Sequence, residues 1–283
     1  MSPTTLGIAL AVTATLCFAL LDTLSQHVGR FIPVVMSLWV RYLVQSVLTA
    51  VLLWPQYGRQ LLLTRRPLLQ FWRGILMAGS SALAFLSLQH VPVGEFTAIL
   101  MLTPLVITLM AAVWLRERVT RLAWWLVIGG FAGALIVVRP QGGDFSLGIF
   151  LPLLLVVVNA GFQILTSQLV RTEHPAGVHF YSGLCGLLVC SLWLPMAWAP
   201  VANVWLWLSM VMIGVFGSIG HYLLILAYQR APASRITVYL YSQIGFATLA
   251  GWVAFGHAPD QWTLLGVALI AGCGLYGLRK LRH

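Results

Sequence analysis

The chain has 283 residues, of which 60% are hydrophobic and only 8% are charged, and its mean hydropathy is +0.93. Because a soluble domain carries roughly a quarter of charged residues, this composition excludes a protein with a water-exposed polar surface. The net charge of +10 would suit nucleic-acid binding, but the basic residues lie in short segments between apolar runs and form no basic helix face, which argues against that function.

Apolar runs of about 20 residues recur along the chain, the length with which an α-helix crosses ~30 Å of hydrocarbon. Many of the 12 Trp lie near the ends of these runs, as an interfacial aromatic belt predicts. The sequence therefore predicts an all-α polytopic membrane protein. Its ten transmembrane helices are expected at residues 5–28, 32–54, 71–90, 93–115, 121–138, 147–170, 176–197, 203–229, 234–255 and 261–278.

The basic residues are divided unequally between the two sides of this arrangement. Arg30 and Arg139 lie on one side, and Arg41 lies within the second segment. The side that carries both termini has the other 13: Arg59, Arg65, Arg66, Arg73, Arg116, Arg118, Arg121, Arg171, Arg230, Arg235, Arg279, Lys280 and Arg282. Since short loops rich in Lys and Arg stay in the cytoplasm, we expect both termini in the cytoplasm and the chain in the cytoplasmic (inner) membrane. The first apolar run has no basic residues before it and is expected to be a retained helix rather than a cleaved signal peptide.

The second half of the chain repeats features of the first at an offset of about 140 residues. Ser25-Gln26 and Pro33 match Ser167-Gln168 and Pro175. Gln89, Pro92 and Thr97 match Gln229, Pro232 and Thr237. Trp125-x3-Gly129 matches Trp262-x3-Gly266. A unit of five helices crosses the membrane an odd number of times, so its second copy must be inverted, as in many secondary transporters. We therefore predict a 5+5 inverted repeat around a central cavity, with residues 1–140 and 147–283 as its two units.

Short motifs that carry a family resemblance are spread along the whole chain: the Pro33…Arg41 spacing, Gln89-His-Val-Pro92, Leu115-Arg-Glu117, Trp125-x3-Gly129 and Trp262-x3-Gly266. In these motifs the chain resembles the drug/metabolite transporter superfamily, in its ten-helix branch, and there most of all the bacterial exporters of aromatic and other hydrophobic amino acids. The resemblance implies a cavity walled mainly by helices 1–4 and 6–9, with helices 5 and 10 peripheral. The repeat counterpart of Glu117 is His257, so a shared role for the two positions is not expected.

Polar residues inside a bilayer are costly and tend to face the bundle interior or a water-filled path. Asn159, Gln163 and Thr166 of the sixth segment have i, i+4, i+7 spacing and share one face. The first segment repeats this spacing at an offset of 141, with Phe18, Asp22 and Ser25. Such stripes also occur as hydrogen-bonding contacts that only hold helices together; we interpret them here as walls of a substrate site.

The predicted site near the membrane midplane combines apolar rings with hydroxyl and amide groups that orient a ligand. Its residues are Phe18, Asp22, Ser81, Phe85, Met101, Asn159, Gln163, His221, Tyr222, Tyr239 and Gln243. His221 could bind a carboxylate, carry a coupling proton or be a neutral core histidine. The ligand that these residues imply is small, uncharged or zwitterionic, and substantially apolar, with aromatic amino acids as leading candidates and lipophilic cations second.

Asp22 and Arg41 are opposite charges on consecutive antiparallel segments. They lie ~9 Å and ~12 Å below the same boundary at about 1.5 Å per residue. Pairing would lessen the cost of burying each. We predict an ion pair, direct or through one water, from which Asp22 could turn to a substrate amine or a proton.

Other functions lack their signatures in this chain. A hydrolytic enzyme would show GxSxG or HExxH, and the four cysteines, Cys17, Cys185, Cys190 and Cys273, form no CxxC. We expect no catalytic residue, metal or cofactor. A channel would show a charged ring or a repeated filter motif. A receptor would not need polar stripes in both halves. A nucleotide-sugar transporter would need more cations deep in the membrane than Arg41 to bind the diphosphate. The expected partners are a small-molecule substrate and the lipid bilayer, with no oligomeric state indicated.

Overall fold

The computed structural model describes residues 2–90, 99–139, 150–255 and 259–281. These ranges are built from α-helices and a short 3-10 turn at Gly58–Leu61. The α-helices are α1 (Pro3–Val28), α2 (Val34–Tyr57), α3 (Pro67–His90), α4 (Thr103–Val113), α5 (Arg121–Val138), α6 (Phe150–Leu169), α7 (Pro175–Ala197), α8 (Val204–Arg230), α9 (Ala233–Leu240), α10 (Ser242–Phe255) and α11 (Gln261–Leu281).

Helix length and composition fit a bilayer as the solvent. Six described helices are long and apolar enough to span it: Pro3–Val28, Val34–Leu61, Arg121–Val138, Phe150–Leu169, Pro175–Ala197 and Val204–Arg230. Shorter apolar helices occur at Thr103–Val113 and Gln261–Gly277. Large apolar side chains also cover the outside, and Leu192 and Met196 of α7 are 77% and 83% exposed. The prediction of an all-helical polytopic membrane protein is confirmed.

Polar side chains at the starts of helices satisfy backbone N–H groups that have no partner within the helix. The Ser2 hydroxyl accepts from the Thr5 N–H before α1, and the Asn203 amide oxygen accepts from the Trp205 N–H before α8. These caps explain why the helices start within a few residues of the predicted boundaries. The third helix differs, since it starts at Pro67 and includes four residues that the sequence assigned to a loop.

The helices pack in pairs that correspond between the two halves. Helix α1 of the first half packs against α8 of the second half, and their repeat counterparts α6 and α3 pack against each other. Helix α2 likewise packs against its repeat counterpart α7, and α5 packs against its counterpart α11.

Helices α5 and α11 approach each other closely at a pair of glycines, Gly133 and Gly266. A Cβ at Gly266 would lie 2.5 Å from the carbonyl oxygen of Gly133 and 2.6 Å from Val137 Cγ2. A Cβ at Gly133 would lie 2.9 Å from the carbonyl oxygen of Gly266. Only residues without a side chain let these two helices touch.

The fourth and ninth predicted segments are both interrupted, at positions 140 residues apart. Met101 and Leu102 form a turn before α4, and Tyr241 separates α9 from α10. The two interruptions are in contact, because the Tyr241 hydroxyl donates to the Met101 carbonyl oxygen over 3.2 Å. Discontinuous helices of this kind form the binding regions of many transporters.

Candidate functional site

A histidine in the middle of α8 is the centre of a polar cluster inside the bundle. His221 Nε2 lies 2.9 Å from Arg41 Nη2 of α2. Since a guanidinium can only donate, this Nε2 accepts, and the ring carries its proton on Nδ1 as the neutral form. The ring also packs on Phe18 of α1 and Phe162 of α6, with ring centroids 4.9 and 5.8 Å away. Side chains from both halves of the chain therefore meet here.

Arg73 of α3 is the second cation of this interior, and its side chain is only 1% exposed. Its Nε donates to Thr166 Oγ1 over 2.7 Å, and its Nη1 donates to the Val178 carbonyl oxygen over 2.9 Å and to Ser182 Oγ. Its guanidinium carbon lies 4.7 Å from the centroid of the Phe162 ring. We expected Arg73 at the cytoplasmic side, near the start of the third segment. Helix α3 begins at Pro67, and the Arg73 side chain is buried against α6 and α7.

The amides of the predicted stripe on α6 form a short chain of hydrogen bonds. Gln163 Nε2 donates to Asn159 Oδ1 over 2.7 Å, and the Tyr228 hydroxyl of α8 donates to Gln163 Oε1 over 2.6 Å. Gln163 is 9% exposed, so its amide is oriented by these two partners rather than by solvent.

Asp22 lies on the same helix as Phe18, one turn further along. Its carboxylate accepts from Gln243 Nε2 of α10 over 2.7 Å. Among the described residues Asp22 makes no salt bridge with Arg41, whose guanidinium bonds His221 instead. The direct ion pair is therefore not formed in this structure, and pairing through a water stays a prediction.

The remaining predicted site residues are dispersed. Ser81 is bonded to the Tyr42 hydroxyl at 3.0 Å, and Tyr222 packs on His179 with ring centroids 5.3 Å apart. Tyr239 is buried against Gly277 of α11. Met101 meets Tyr241 through its carbonyl oxygen. The side chain of Phe85 lies outside the described residues, as do Glu95 and His257.

The cluster encloses a gap that is too narrow for a water molecule. Its lining residues are Arg73, Phe162, Gln163, Thr166, His221, Leu224, Ile225 and Tyr228. The sequence predicted Gln163, Thr166 and His221 as wall residues, but it did not predict Arg73, Phe162, Leu224, Ile225 or Tyr228. A substrate would enter only after the surrounding helices separate.

A second polar network closes the bundle where α4 ends. Arg116 has a φ of 51°, and this turn brings the following Glu117 to the start of α9. Its carboxylate accepts from the backbone N–H of Ala233 and Ser234 and from Ser234 Oγ, and it forms a 2.9 Å salt bridge with Arg171. A carboxylate at a helix N-terminus is also favoured by the helix dipole. The network ties α4 to α6 and α9 across the two halves.

At the start of α11 Arg139 forms an ion pair with Asp260, whose carboxylate also accepts from the Thr263 N–H. The hydrogen bond from Arg139 holds the pKa of Asp260 below its usual range, so the pair is charged at neutral pH. Within the described ranges, no three His, Cys, Asp or Glu side chains are close enough to hold a metal ion.

Apolar spanning helices around an interior polar cluster define a membrane transport protein. The EamA-like transporter family matches residues 5–139 and 146–278, and the chain belongs to this family. The prediction of a drug/metabolite transporter is thereby confirmed, and the protein is a transporter rather than an enzyme.

Relatives of several specificities match nearly the whole chain. A riboflavin transporter of Brucella anthropi is 29% identical over 95% of this chain and 97% of its own length. A pseudopaline exporter of Pseudomonas aeruginosa is 27% identical over 93% of each chain, and an S-adenosylmethionine uptake transporter of Rickettsia bellii is 25% identical over 90% of this chain and 87% of its own. None of these three relatives is an amino-acid exporter, so the resemblance to exporters of aromatic and other hydrophobic amino acids stays a prediction.

A solved crystal structure of a protein shares the fold. It superposes with a TM-score of 0.82 over 96% of this chain and 98% of its own, at 20% sequence identity.

Proposed function

We propose that this protein moves a small, partly apolar organic metabolite across the bacterial inner membrane by alternating access, without a covalent step. The observation that carries the proposal is the polar cluster around His221, which draws Phe18 and Arg41 from one half of the chain and Phe162 from the other. A site shared by two halves can be opened to either side when the halves exchange conformations.

Three observations support the division into inverted repeats of residues 1–140 and 147–283. The family matches two separate segments of similar length. The helix pairs correspond between the halves, and the interruptions at Met101 and Tyr241 are 140 residues apart. An axis that exchanges the halves would pass between these two interruptions.

Aromatic amino acids are our first substrate candidates. The rings of Phe18 and Phe162 offer apolar area, the two arginines offer partners for a carboxylate, and Asp22 offers one for an amine. Lipophilic cations fit less well, because Arg41 and Arg73 would repel them in the same interior. We propose export as the direction, although the relatives include both exporters and uptake transporters.

Counterflow in proteoliposomes tests the substrate class. Vesicles loaded with tryptophan, phenylalanine, riboflavin, S-adenosylmethionine or tetraphenylphosphonium are diluted into the corresponding labelled compound. We expect labelled aromatic amino acid to accumulate transiently. Accumulation of the organic cation alone would contradict the proposed class, and no accumulation of any member would contradict the proposed function.

Replacement of Gln163 by alanine tests the site. The change removes the acceptor for the Tyr228 hydroxyl and the donor to Asn159, and we expect transport of the preferred substrate to fall about tenfold, the effect of losing one or two buried hydrogen bonds. Initial rates are compared at equal membrane abundance. The exposed Gln60 of the turn after α2 gives the control, Gln60→Ala, which should transport at the parent rate. An unchanged rate for Gln163→Ala would mean that the α6 stripe only holds helices together.

Cysteine labelling tests the orientation. With the four native cysteines replaced by alanine, Gln60→Cys and Asn203→Cys are placed in turns at opposite predicted sides. We expect a membrane-impermeant maleimide to label the Asn203 position in intact cells, and the Gln60 position only after permeabilisation. The reverse pattern would place the termini outside.

A further inference from the structure

Arg73 is a buried cation whose partners in the structure are all neutral: Thr166 Oγ1, the Val178 carbonyl oxygen, Ser182 Oγ and the face of Phe162. A charge in the interior of a membrane protein is costly and is usually paired. The carboxylates that the structure describes are each engaged elsewhere, Asp22 with Gln243, Glu117 with Arg171, Glu173 with the Arg65 N–H and Asp260 with Arg139. The charge of Arg73 is therefore uncompensated within the described part of the chain.

One edge of this guanidinium is left for a ligand. Its hydrogen bonds to described residues use Nε and Nη1 and none uses Nη2, although that nitrogen carries two of the five N–H donors. Arg73 lines the narrow gap together with Gln163 and His221. The three neutral acceptors hold the other two nitrogens and so fix the orientation of the group.

Arg41 adds to the same excess of positive charge. Its Nη2 bonds the neutral His221, and its Nε is buried without a hydrogen-bond partner among the described residues. Neither Arg41 nor Arg73 forms a salt bridge with a carboxylate of the described residues, and this excess of positive charge favours an anion.

We propose that Arg73 binds an anionic oxygen group of the transported molecule, a carboxylate or a phosphate, while Phe162 and Phe18 contact its apolar part. The inference rests on the proposed transport function and names the charged group of its substrate. A guanidinium edge matches two oxygens of either anion. Arg41 supplies the second positive charge of the site.

Three probes of similar size separate charge from shape: phenylacetate, phenyl phosphate and the neutral phenylacetamide. Binding to the purified full-length protein is measured by titration calorimetry at pH 7 and by the shift of its melting temperature. We expect at least one anion to bind about tenfold or more tightly than the amide, because charge-assisted hydrogen bonds are lost with the amide. The anion that binds more tightly identifies a carboxylate or a phosphate as the preferred group. Equal affinities, or no binding of either anion, would overturn the proposal.

Variants assign the effect to this residue. Arg73→Gln should reduce the affinity ratio of anion to amide to about one, Arg73→Lys should keep a preference for the anion because it keeps the charge, and Arg139→Gln at the exposed pair should behave as the parent. A parental ratio in Arg73→Gln would show that Arg73 only ties α3 to α6 and α7. If Arg73→Gln does not fold, the probe comparison in the unmodified protein and in Arg73→Lys still decides the preference.

Counterflow of the same probes separates this inference from the proposed function. Transport without preference for an anion would leave the function standing and refute the inference. Preferential anion binding that Arg73→Gln abolishes, without transport of any compound, would refute the function and leave Arg73 as an anion-binding residue.

Discussion

Replacement of Glu117 by alanine is expected to reduce transport at least tenfold and to lower the melting temperature of the purified protein. The carboxylate is about nine-tenths buried and accepts from two backbone N–H groups, one hydroxyl and Arg171. Its removal leaves these donors without their acceptor and leaves the start of α9 uncapped, at a cost of about 1–3 kcal/mol. Initial rates in proteoliposomes and thermal unfolding in detergent measure the two effects.

Asp260→Ala provides the matched control, since it also removes a carboxylate that pairs with an arginine before a helix. The Arg139–Asp260 pair is about half exposed, and exposed pairs contribute little because solvent screens them. We therefore expect transport and melting temperature near the parent values. If Glu117→Ala resembled this control, the Glu117 network would be incidental to the fold and to transport.

Replacement of Gly266 by alanine is expected to separate α5 from α11 and to lower the melting temperature by on the order of 5 °C. The added Cβ would lie 2.5 Å from the carbonyl oxygen of Gly133. A backbone atom cannot move out of the way by a rotamer change, so the helices themselves must separate. The unfolding temperature in detergent, followed by circular dichroism, measures the loss.

Gly272→Ala on the same helix is the control, because a Cβ there would meet no heavy atom within 4 Å. Alanine also favours a helix over glycine by about 0.5–1 kcal/mol, so this variant should be as stable as the parent or more so. Equal melting temperatures for the two variants would show that the Gly133 contact does not limit stability.

The sequence predicts the helices well because a helix that crosses the hydrocarbon needs a long apolar run, and because backbone N–H and C=O groups without hydrogen bonds are costly there. It also finds the Asn159–Gln163 pair, because an unbroken helix such as α6 keeps i, i+4 positions on one face. The position of Tyr239 could not be predicted from helical spacing. The interruption at Tyr241 changes the helical phase, so α9 and α10 do not continue one face, and Tyr239 contacts α11 rather than the cluster.

Arg73 and Arg41 show two further reasons for the differences. Arg73 follows Arg65 and Arg66 closely in the sequence. For a basic residue near a helix start, the sequence alone does not distinguish a side chain that faces the cytoplasm from one that faces the bundle. Counting residues compares the depths of Arg41 and Asp22, but depth says nothing about rotation around the helix axis. That rotation turns Arg41 to His221 and leaves Asp22 to Gln243.

The two helix interruptions are mechanically tied. The Tyr241 hydroxyl holds the Met101 carbonyl oxygen, and nearby the hydroxyls of Thr108 and Thr237 are bonded at 2.9 Å. If these interruptions are the joints at which the helices bend, neither can bend alone without breaking the bonds to the other. A pathway open to both sides at once would need one joint bent and the other straight. In the proposed alternating-access cycle, the tie between the joints would act against such an open pathway, and it would thereby protect the ion gradients of the cell.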